Sequence, residues 1–308
     1  MSGAAAVPGT PVQTPARLLD NRSAGAYRVL TLTGDGVAAA ARPGQFVTLA
    51  VGDLSAATLL RRAFSIHRVR RPGPDTGAAG TVEIVVAGHG PGTQWLATRE
   101  PGVTLDLVGP LGKPFPLPTG SVPCVLVGGG YGSAPLFWLA EVLRARGCHV
   151  EMVLGAATRE SLYGVDIAAD CADAVVVTTD DGSLGVPGWV SDVLAEVVAG
   201  SRAAVVYGCG PMGMLHAVSQ IAQDHGAVAQ VAVEEAMACG VGVCMTCVLP
   251  VRGAGGQTRM VRACVEGPVF RGDQVRWEAF EDGWGRVPAD CVGAPGRVGG
   301  VTGSGGPR

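Results

Sequence analysis

Four cysteines near the carboxyl end of the chain have the spacing of metal-cluster ligands. Cys239, Cys244 and Cys247 form a C-x4-C-x2-C run, and Cys264 follows 17 positions later. Plant-type ferredoxins use this spacing to hold a [2Fe-2S] cluster through four thiolates. The pattern therefore predicts a site for one-electron transfer.

Zinc is the alternative ligand for four cysteines. A structural zinc site of four thiolates usually shows two short C-x2-C pairs, whereas here only Cys244 and Cys247 have that spacing. The spacing favours iron and sulfide over zinc. Four other cysteines lie in strand, helix-end, loop and tail contexts and are expected to be inert thiols: Cys124, Cys148, Cys171 and Cys291.

A glycine cluster between an apolar strand and a helix is the second candidate site. In VPCVLVGGGYGSAPLFWLAEVL, phosphate can bind the backbone N–H groups where the helix begins. The run departs from the G-x-G-x-x-G motif, because either possible alignment places Ser133 or Pro135 where the third glycine is required. The motif also needs an acidic residue at the end of the next strand to bind the ribose, and the sequence GAAT at that point contains none. We predict that this loop contacts NAD through Gly128, Gly129, Gly130, Gly132 and Pro135.

The strand end VVYGCGPMGML is a third candidate. Cys209, Gly210, Pro211 and Met212 lie between a β run and a helix, at the edge where open α/β sheets bind ligands. This position predicts a contact on the nicotinamide side of the dinucleotide. An ordinary strand-to-helix turn is the alternative interpretation.

Two short segments in the first third of the chain are suited to a pyrophosphate. In LLRRAFSIHRV, Ser65 follows Arg62 by three positions, so a guanidinium and a hydroxyl can reach the same phosphate. In GHGPGTQWL, Gly92 and Thr93 begin a predicted short helix, which is another potential phosphate site.

The elements that must position these residues follow two patterns. Residues 16–118 alternate β-rich runs with Gly/Pro turns, which predicts an antiparallel barrel. Residues 119–235 alternate apolar strands with helical segments, which predicts an α/β domain with a parallel sheet. Residues 236–284 form a small cysteine-rich segment that a metal centre would stabilise. Residues 1–15 and 285–308 are Gly-, Pro- and Ala-rich and are expected to be disordered tails.

Composition narrows the function classes. The 308 residues are 47% hydrophobic and 16% charged, as expected of a globular chain with more than one domain. A net charge of −3 and the lack of a basic, aromatic tract argue against nucleic-acid binding. The first residues do not match a signal peptide, and nine cysteines without one predict reduced thiols or metal ligands in a cytoplasmic protein.

The motifs taken in order resemble one family across nearly the whole predicted folded region. They are R-x-x-S, G-T, G-P-L-G-x-x-F, G-G-G-x-G-x-A-P, C-G-P and E-E-x-M-x-C-G-x-G-x-C-x-x-C. This order resembles the electron transfer subunit of dihydroorotate dehydrogenase B, a ferredoxin-reductase-like flavoprotein. The resemblance implies an FAD-binding β-barrel, an NAD-binding α/β domain and a C-terminal [2Fe-2S] segment.

The resemblance also implies which residues bind the cofactors. The chain departs from the family pattern at Ala63, where proline is usual, and at Val86 and Ala87, where an aromatic-basic pair is usual. The implied FAD contacts are Arg62, Ala63, Phe64, Ser65, Val85, Val86, Ala87, Gly92 and Thr93, and the implied cluster ligands are Cys239, Cys244, Cys247 and Cys264.

The implied function is electron transfer from NADH through FAD and the cluster to a partner. In this family the partner is an FMN-containing catalytic subunit that oxidises dihydroorotate in de novo pyrimidine (UMP) biosynthesis, in a heterotetramer of two copies of each subunit. No membrane association is expected. Other reductases share these modules, including sulfide-dehydrogenase-like proteins, ferredoxin:NADP reductases and oxygenase reductase components.

Two further alternatives remain from the residues themselves. Arg159 could face the 2′-phosphate of NADP, but a solvated surface arginine is the favoured interpretation, and we expect NAD. A zinc-stabilised scaffold without enzyme activity would use the four cysteines but leave both glycine-rich turns unexplained.

Overall fold

The computed structural model of the chain describes residues 10–52, 58–73, 77–253, 255–280 and 286–292. These residues form a closed barrel, a seven-stranded sheet covered by helices, and a two-stranded hairpin. The expected combination of an antiparallel barrel and a parallel sheet is confirmed.

The barrel consists of six antiparallel strands in the order β1-β2-β5-β4-β3-β6. Alternate side chains of β5, namely Val82, Ile84 and Val86, are buried in its core, as the two-residue period of a strand requires. The elements of this region are β1 (Val12–Ala24), β2 (Tyr27–Thr33), α1 (Asp35–Ala40), β3 (Phe46–Leu49), β4 (Arg62–Arg70), β5 (Thr81–Val86), α2 (Pro91–Ala97) and β6 (Thr104–Leu111).

The start of the barrel differs from the expectation. β1 begins at Val12, which pairs with Gly109 of β6, so the expectation of a disordered tail up to residue 15 is wrong for residues 12–15. The physical reason is closure: β1 pairs with both β2 and β6 and removes the open edges of the barrel.

The sheet has the order β10-β9-β8-β7-β11-β12-β15, and all pairs except β12 with β15 are parallel. One face packs on α3 and α4, and the other on α5 and α6. The elements are β7 (Cys124–Gly129), α3 (Ala134–Ala145), β8 (Val150–Ala156), α4 (Val165–Cys171), β9 (Ala174–Thr179), β10 (Val186–Pro187), α5 (Val190–Ser201), β11 (Val205–Cys209), α6 (Met212–Asp224) and β12 (Val228–Ala232).

The cysteine-rich segment consists of a hairpin and a strand that joins the main sheet. The elements are β13 (Val248–Arg252), β14 (Thr258–Arg262) and β15 (Val269–Arg271). β15 runs antiparallel to β12 with Val231 opposite Phe270. The segment is therefore tied to the sheet edge.

The carboxyl-terminal boundary also differs from the expectation. Cys291 is buried and bridges to Thr258 of β14, and Asp290 pairs with Arg276. The expectation of a disordered tail from residue 285 is therefore wrong for residues 286–292. The rest of that expected tail lies outside the described residues.

A shared apolar core joins the three regions. It combines Phe46 of the barrel, Leu215 and Val231 of the sheet domain, and Leu249 and Phe270 of the cysteine-rich segment. Burial of these side chains fixes the regions relative to one another. Within the described part of the chain, no helix has the length and apolar character needed to cross a membrane.

Candidate functional site

The four predicted ligand cysteines form two pairs. The thiols of Cys239 and Cys244 contact each other, as do those of Cys247 and Cys264. Among the described residues, no three His, Cys, Asp or Glu side chains are grouped as a single metal ion would need. Two pairs of thiols instead match a two-iron cluster, in which four cysteines are shared between two irons.

The loop around the cysteines has the backbone geometry of a cluster cradle. Gly240 and Gly242 have φ of +71° and +84°, which L side chains rarely adopt. A Cβ on Gly240 would lie 2.7 Å from Cγ2 of Thr48, and one on Gly242 would lie 2.5 Å from Cγ2 of Val265. Only glycine therefore fits at either position.

Backbone donors already point at the cysteines, and the side chain of Thr48 packs against the same loop. The N–H of Val241 donates to Sγ of Cys239 and the N–H of Cys264 donates to Sγ of Cys247, both at 3.4 Å. The hydroxyl of Thr48 is buried without a hydrogen-bond partner among the described residues. Donors aimed at sulfur and an all-thiol donor set fit a [2Fe-2S] cluster.

The cysteines differ in exposure and acidity. Cys244 is exposed, and hydrogen bonds from Thr246 and with Cys239 lower its pKa to about 6. Cys264 is 2% exposed, and burial raises its pKa to about 12. Because a metal ligand must be a thiolate, Cys244 is ready to bind at neutral pH, whereas Cys264 must release its proton to solvent as iron binds.

Beside the cluster loop lies a cavity of about 250 Å³, here called the barrel cavity. It is bounded by the outer face of β4 and β5, the glycine turns of the sheet domain and residues 232–237. Six of the expected FAD-binding residues line it: Ala63, Phe64, Ser65, Val85, Ala87 and Thr93. Ligand pockets usually measure roughly 300–1,000 Å³, so the barrel cavity suits one ring system and the rest of an FAD would extend outside it.

Arg62 and Gly92 form a cradle at the side of this cavity. A Cβ on Gly92 would lie 2.9 Å from Cγ2 of Val51 and 3.1 Å from Nε of Arg62. The neighbouring Arg61 pairs with Asp106, whereas Nη1 of Arg62 donates to backbone carbonyls, including that of Leu60 at 2.6 Å. Among the described residues, Arg62 has no carboxylate partner, and a guanidinium beside the bare backbone of Gly92 fits a pyrophosphate.

Val86 is the exception among the expected FAD contacts. Its side chain is fully buried in the barrel core, because neighbouring strand residues point to opposite faces. Val85 and Ala87 therefore face the barrel cavity, and Val86 does not.

A larger cavity of about 720 Å³, here called the sheet cavity, lies at the carboxyl edge of the parallel strands. The two glycine-rich turns meet there, since a Cβ on Gly132 would lie 2.8 Å from Cα of Gly210. Expected NAD-binding residues that line it are Gly129, Gly130, Gly132, Gly210 and Pro211. Its size and position suit a dinucleotide.

The remaining expected NAD contacts lie elsewhere. Gly128 allows the turn to pack closely, because a Cβ at this position would lie only 2.6 Å from the Cβ of Ser133. Pro135 is buried in the first turn of α3. Met212 lines a separate cavity of about 1,400 Å³ beside α6, and Cys209 lines the barrel cavity.

The buried Cys209 and the half-buried Glu235 line the barrel cavity. Burial raises the pKa of the Cys209 thiol to about 12, with Glu234 adding to the effect. Burial also raises the pKa of Glu235. Both effects favour the neutral forms of these groups.

Sequence reasoning missed several cavity residues. Tyr131 occupies the variable position of the glycine run, and its hydroxyl donates to Oε1 of Glu234 at 3.1 Å. Asp180 follows β9 and lines the sheet cavity. The run VVVTTDD contains it, but its role can be recognised only when β9 is known to end at this edge of the sheet. Arg159 is exposed and does not line that cavity.

One side chain separates the cluster loop from the barrel cavity. Phe46 lines the cavity, and its Cε2 lies 3.5 Å from the position of a Cβ on Gly240. Met237 lines the same cavity two residues before Cys239. Electrons leaving a ring in the cavity would therefore have a short path to the cysteines.

Comparison with known proteins agrees with this arrangement. Residues 234–276 match the model of the iron-sulfur cluster binding domain of dihydroorotate dehydrogenase B. The chain is similar to the dihydroorotate dehydrogenase B (NAD(+)) electron transfer subunit of Geobacillus thermodenitrificans, with 39% identity over 80% of this chain and 91% of that protein. It has 36% identity to the Desulforamulus reducens protein of the same name, over 79% of this chain and 89% of that one.

A solved structure supports the fold along most of the chain. A chain of an NADH-dependent reduced ferredoxin-NADP oxidoreductase matches with a TM-score of 0.73 and 29% identity, covering 90% of this chain and 92% of that chain.

Proposed function

The chain belongs to the family of electron transfer subunits of dihydroorotate dehydrogenase B, and on that premise we propose that it carries electrons from NADH to a catalytic partner protein. FAD and a [2Fe-2S] cluster are its cofactors and NADH is its electron donor. The observation that carries the proposal is the contact of Phe46 with both the cluster loop and the barrel cavity.

We propose that the flavin ring of FAD occupies the barrel cavity and that the four cysteines hold the cluster. Arg62, Gly92 and Thr93 would bind the pyrophosphate outside the cavity. When bound, FAD accepts an electron pair as hydride and the cluster passes electrons singly.

The chain's own residues supply position and shielding. Phe64 and Val85 give the barrel cavity an apolar wall. The touching turns at Gly132 and Gly210 carry no side chains, so at these two positions only backbone lies between the sheet cavity and the barrel cavity. Reacting groups must come within about 3–3.5 Å for transfer, and no Cβ stands at these two positions.

The carboxylate of Asp180 supports the choice of NADH over NADPH. It lines the sheet cavity at the end of β9, where a carboxylate can accept a hydrogen bond from a ribose hydroxyl and repels a 2′-phosphate.

The family names imply a catalytic partner, and we propose that it is an FMN-containing subunit that oxidises dihydroorotate in pyrimidine biosynthesis, in a complex of two copies of each chain. Four exposed apolar side chains lie on or against the loop that carries the exposed Cys244 and are here called the apolar collar: Val241, Val243, Met245 and Val265. Contiguous exposed apolar surface is typical of a protein interface. All nine cysteines are free thiols, which supports a reducing, cytoplasmic location.

The test is an anaerobic visible spectrum before and after NADH, with flavin, iron and sulfide assayed on the same sample. We expect one flavin, two irons and two sulfides per chain, and bleaching of both chromophores by NADH. Cys264→Ser should lose iron and keep flavin, while Cys171→Ser, which changes a buried thiol on α4, should keep both. A colourless, zinc-containing protein would refute the proposal.

Coexpression with a dihydroorotate-oxidising flavoprotein tests the partner. A stable complex that reduces NAD when given dihydroorotate supports it. Bleaching by NADH with no such complex, and with transfer to ferredoxin instead, would assign the chain to the reductase function named for the similar solved structure.

A further inference from the structure

The barrel cavity and the sheet cavity share four residues, Tyr131, Gly132, Gly210 and Glu234. Two of them are glycines, so only Tyr131 and Glu234 place side chains at the boundary between the cavities. These two side chains therefore lie between a flavin bound in the barrel cavity and a nicotinamide bound in the sheet cavity.

The ring of Tyr131 lies between residues of the two cavities. Its centroid is 5.7 Å from that of Tyr27, which lines the sheet cavity, and 6.0 Å from that of His89, which lines the barrel cavity. Burial raises the pKa of Tyr131 to about 12. The hydroxyl therefore stays protonated and can donate to Glu234 across the boundary.

The backbone that holds this pair is irregular. Tyr131 lies on a 3₁₀ turn of four residues with glycine on each side, and Gly130 has φ of +54°. Glu234 lies in residues 233–237, which form no helix or strand. The hydrogen bond between them is exposed to solvent, where such bonds are easily exchanged for bonds to water.

Resting on the proposed function, we propose that Tyr131 is a gate between flavin and nicotinamide, and that the hydrogen bond to Glu234 holds it closed. Hydride transfer requires direct contact between the two rings, which the Tyr131 ring blocks in this position. NADH binding must displace the ring, so the apparent affinity for NADH is proportional to the fraction of molecules in which the gate is open.

The experiment is anaerobic stopped-flow reduction of the holoprotein by NADH, comparing wild type with Tyr131→Phe, Glu234→Ala and the double variant. Each single change removes the same hydrogen bond. We expect the apparent Kd for NADH to fall at least threefold in each, the limiting reduction rate to be kept or raised, and the double variant to match the single ones. Tyr163→Phe, at a tyrosine outside both cavities, is the matched control and should equal wild type.

The outcomes separate the gate from the proposed function. If NADH fails to reduce the flavin of wild type, the proposed function fails. If wild type is reduced and the variants with full flavin content show an unchanged or weaker Kd, the gate is refuted. Additive effects in the double variant would also refute it, because the two groups would then act separately.

Discussion

Replacing Gly240 by alanine tests the geometry of the cluster loop most directly. The residue has φ of +71°, and its new Cβ would lie 2.7 Å from Cγ2 of Thr48 on the barrel. A left-handed conformation costs an L residue about 1–2 kcal/mol, and overpacking a filled site costs about 1–3 kcal/mol. We therefore expect a loss of about 2–5 kcal/mol if the loop keeps its position.

The loss should appear in one of two measurements on the holoprotein. For domains of comparable size, a change of 1 kcal/mol lowers Tm by roughly 2–4 °C, so an unmoved loop predicts a Tm drop of roughly 4–20 °C. If the loop shifts to relieve the contact, Cys239 moves with it and the iron content per chain falls. Thermal melts and iron assays on the same sample cover both cases.

Gly200→Ala is the matched control for this change. Gly200 lies in α5 with no atom within 4 Å of the new Cβ, so helix propensity alone should stabilise the protein by about 0.5–1 kcal/mol. A Gly240→Ala protein with the wild-type Tm and a full iron content would refute the conclusion that only glycine fits at this position of the cluster loop.

Three further predictions follow from single side chains. Thr48→Val removes a buried hydroxyl that has no hydrogen-bond partner among the described residues, on the side chain whose Cγ2 packs against Gly240. If that hydroxyl donates to the cluster, a lost bond of about 0.5–1.5 kcal/mol lowers the one-electron potential by roughly 20–65 mV, and an unchanged potential in an EPR titration contradicts this. Asp180→Asn should raise the ratio of kcat/KM for NADPH over NADH about tenfold, or about 1.4 kcal/mol, in steady-state assays. Burial lowers the pKa of His67, so the folded state resists the proton that the unfolded chain takes up near pH 6.5. As the pH is lowered below that value, the free energy of unfolding should decrease by up to about 1.4 kcal/mol per pH unit. The variant His67→Gln should show a weaker pH dependence of Tm between pH 5 and 8.

The elements of the sheet domain could be predicted because their signals are local. CVLVGG and AAVVYGCG contain buried parallel strands, β7 and β11, and APLFWLAEVLRARG contains α3. The expected barrel runs likewise correspond to β2 through β6. The sequence did not predict β1, β10, α1, α4 and α5. VQTPARLL and VSDVLAEVVAGS carry weaker patterns and owe their structure to tertiary pairing and packing.

The residues of the candidate site also fall into those with local sequence signals and those placed only by tertiary structure. The cysteine spacing is local, and the structure brings those four residues together in pairs. Phe46 and Asp180 could not be found from sequence, because each lies on a strand or turn whose partner is far along the chain. Val86 shows the limit of transferring a run of contacts, since strand alternation turns every second side chain away from the cavity.

The return of β15 to the sheet edge explains why the cluster segment is part of the redox site and not an appendage. Its residues share one core with Phe46 of the barrel and Leu215 of the sheet domain, so the cluster loop cannot shift without disturbing packing in both. The distance between barrel cavity and cysteines is therefore set by the fold itself. The apolar collar around Cys244 contributes no buried side chain to that core. It follows that substitutions in the collar can change which partner receives the electrons while leaving the internal path from NADH to the cluster intact.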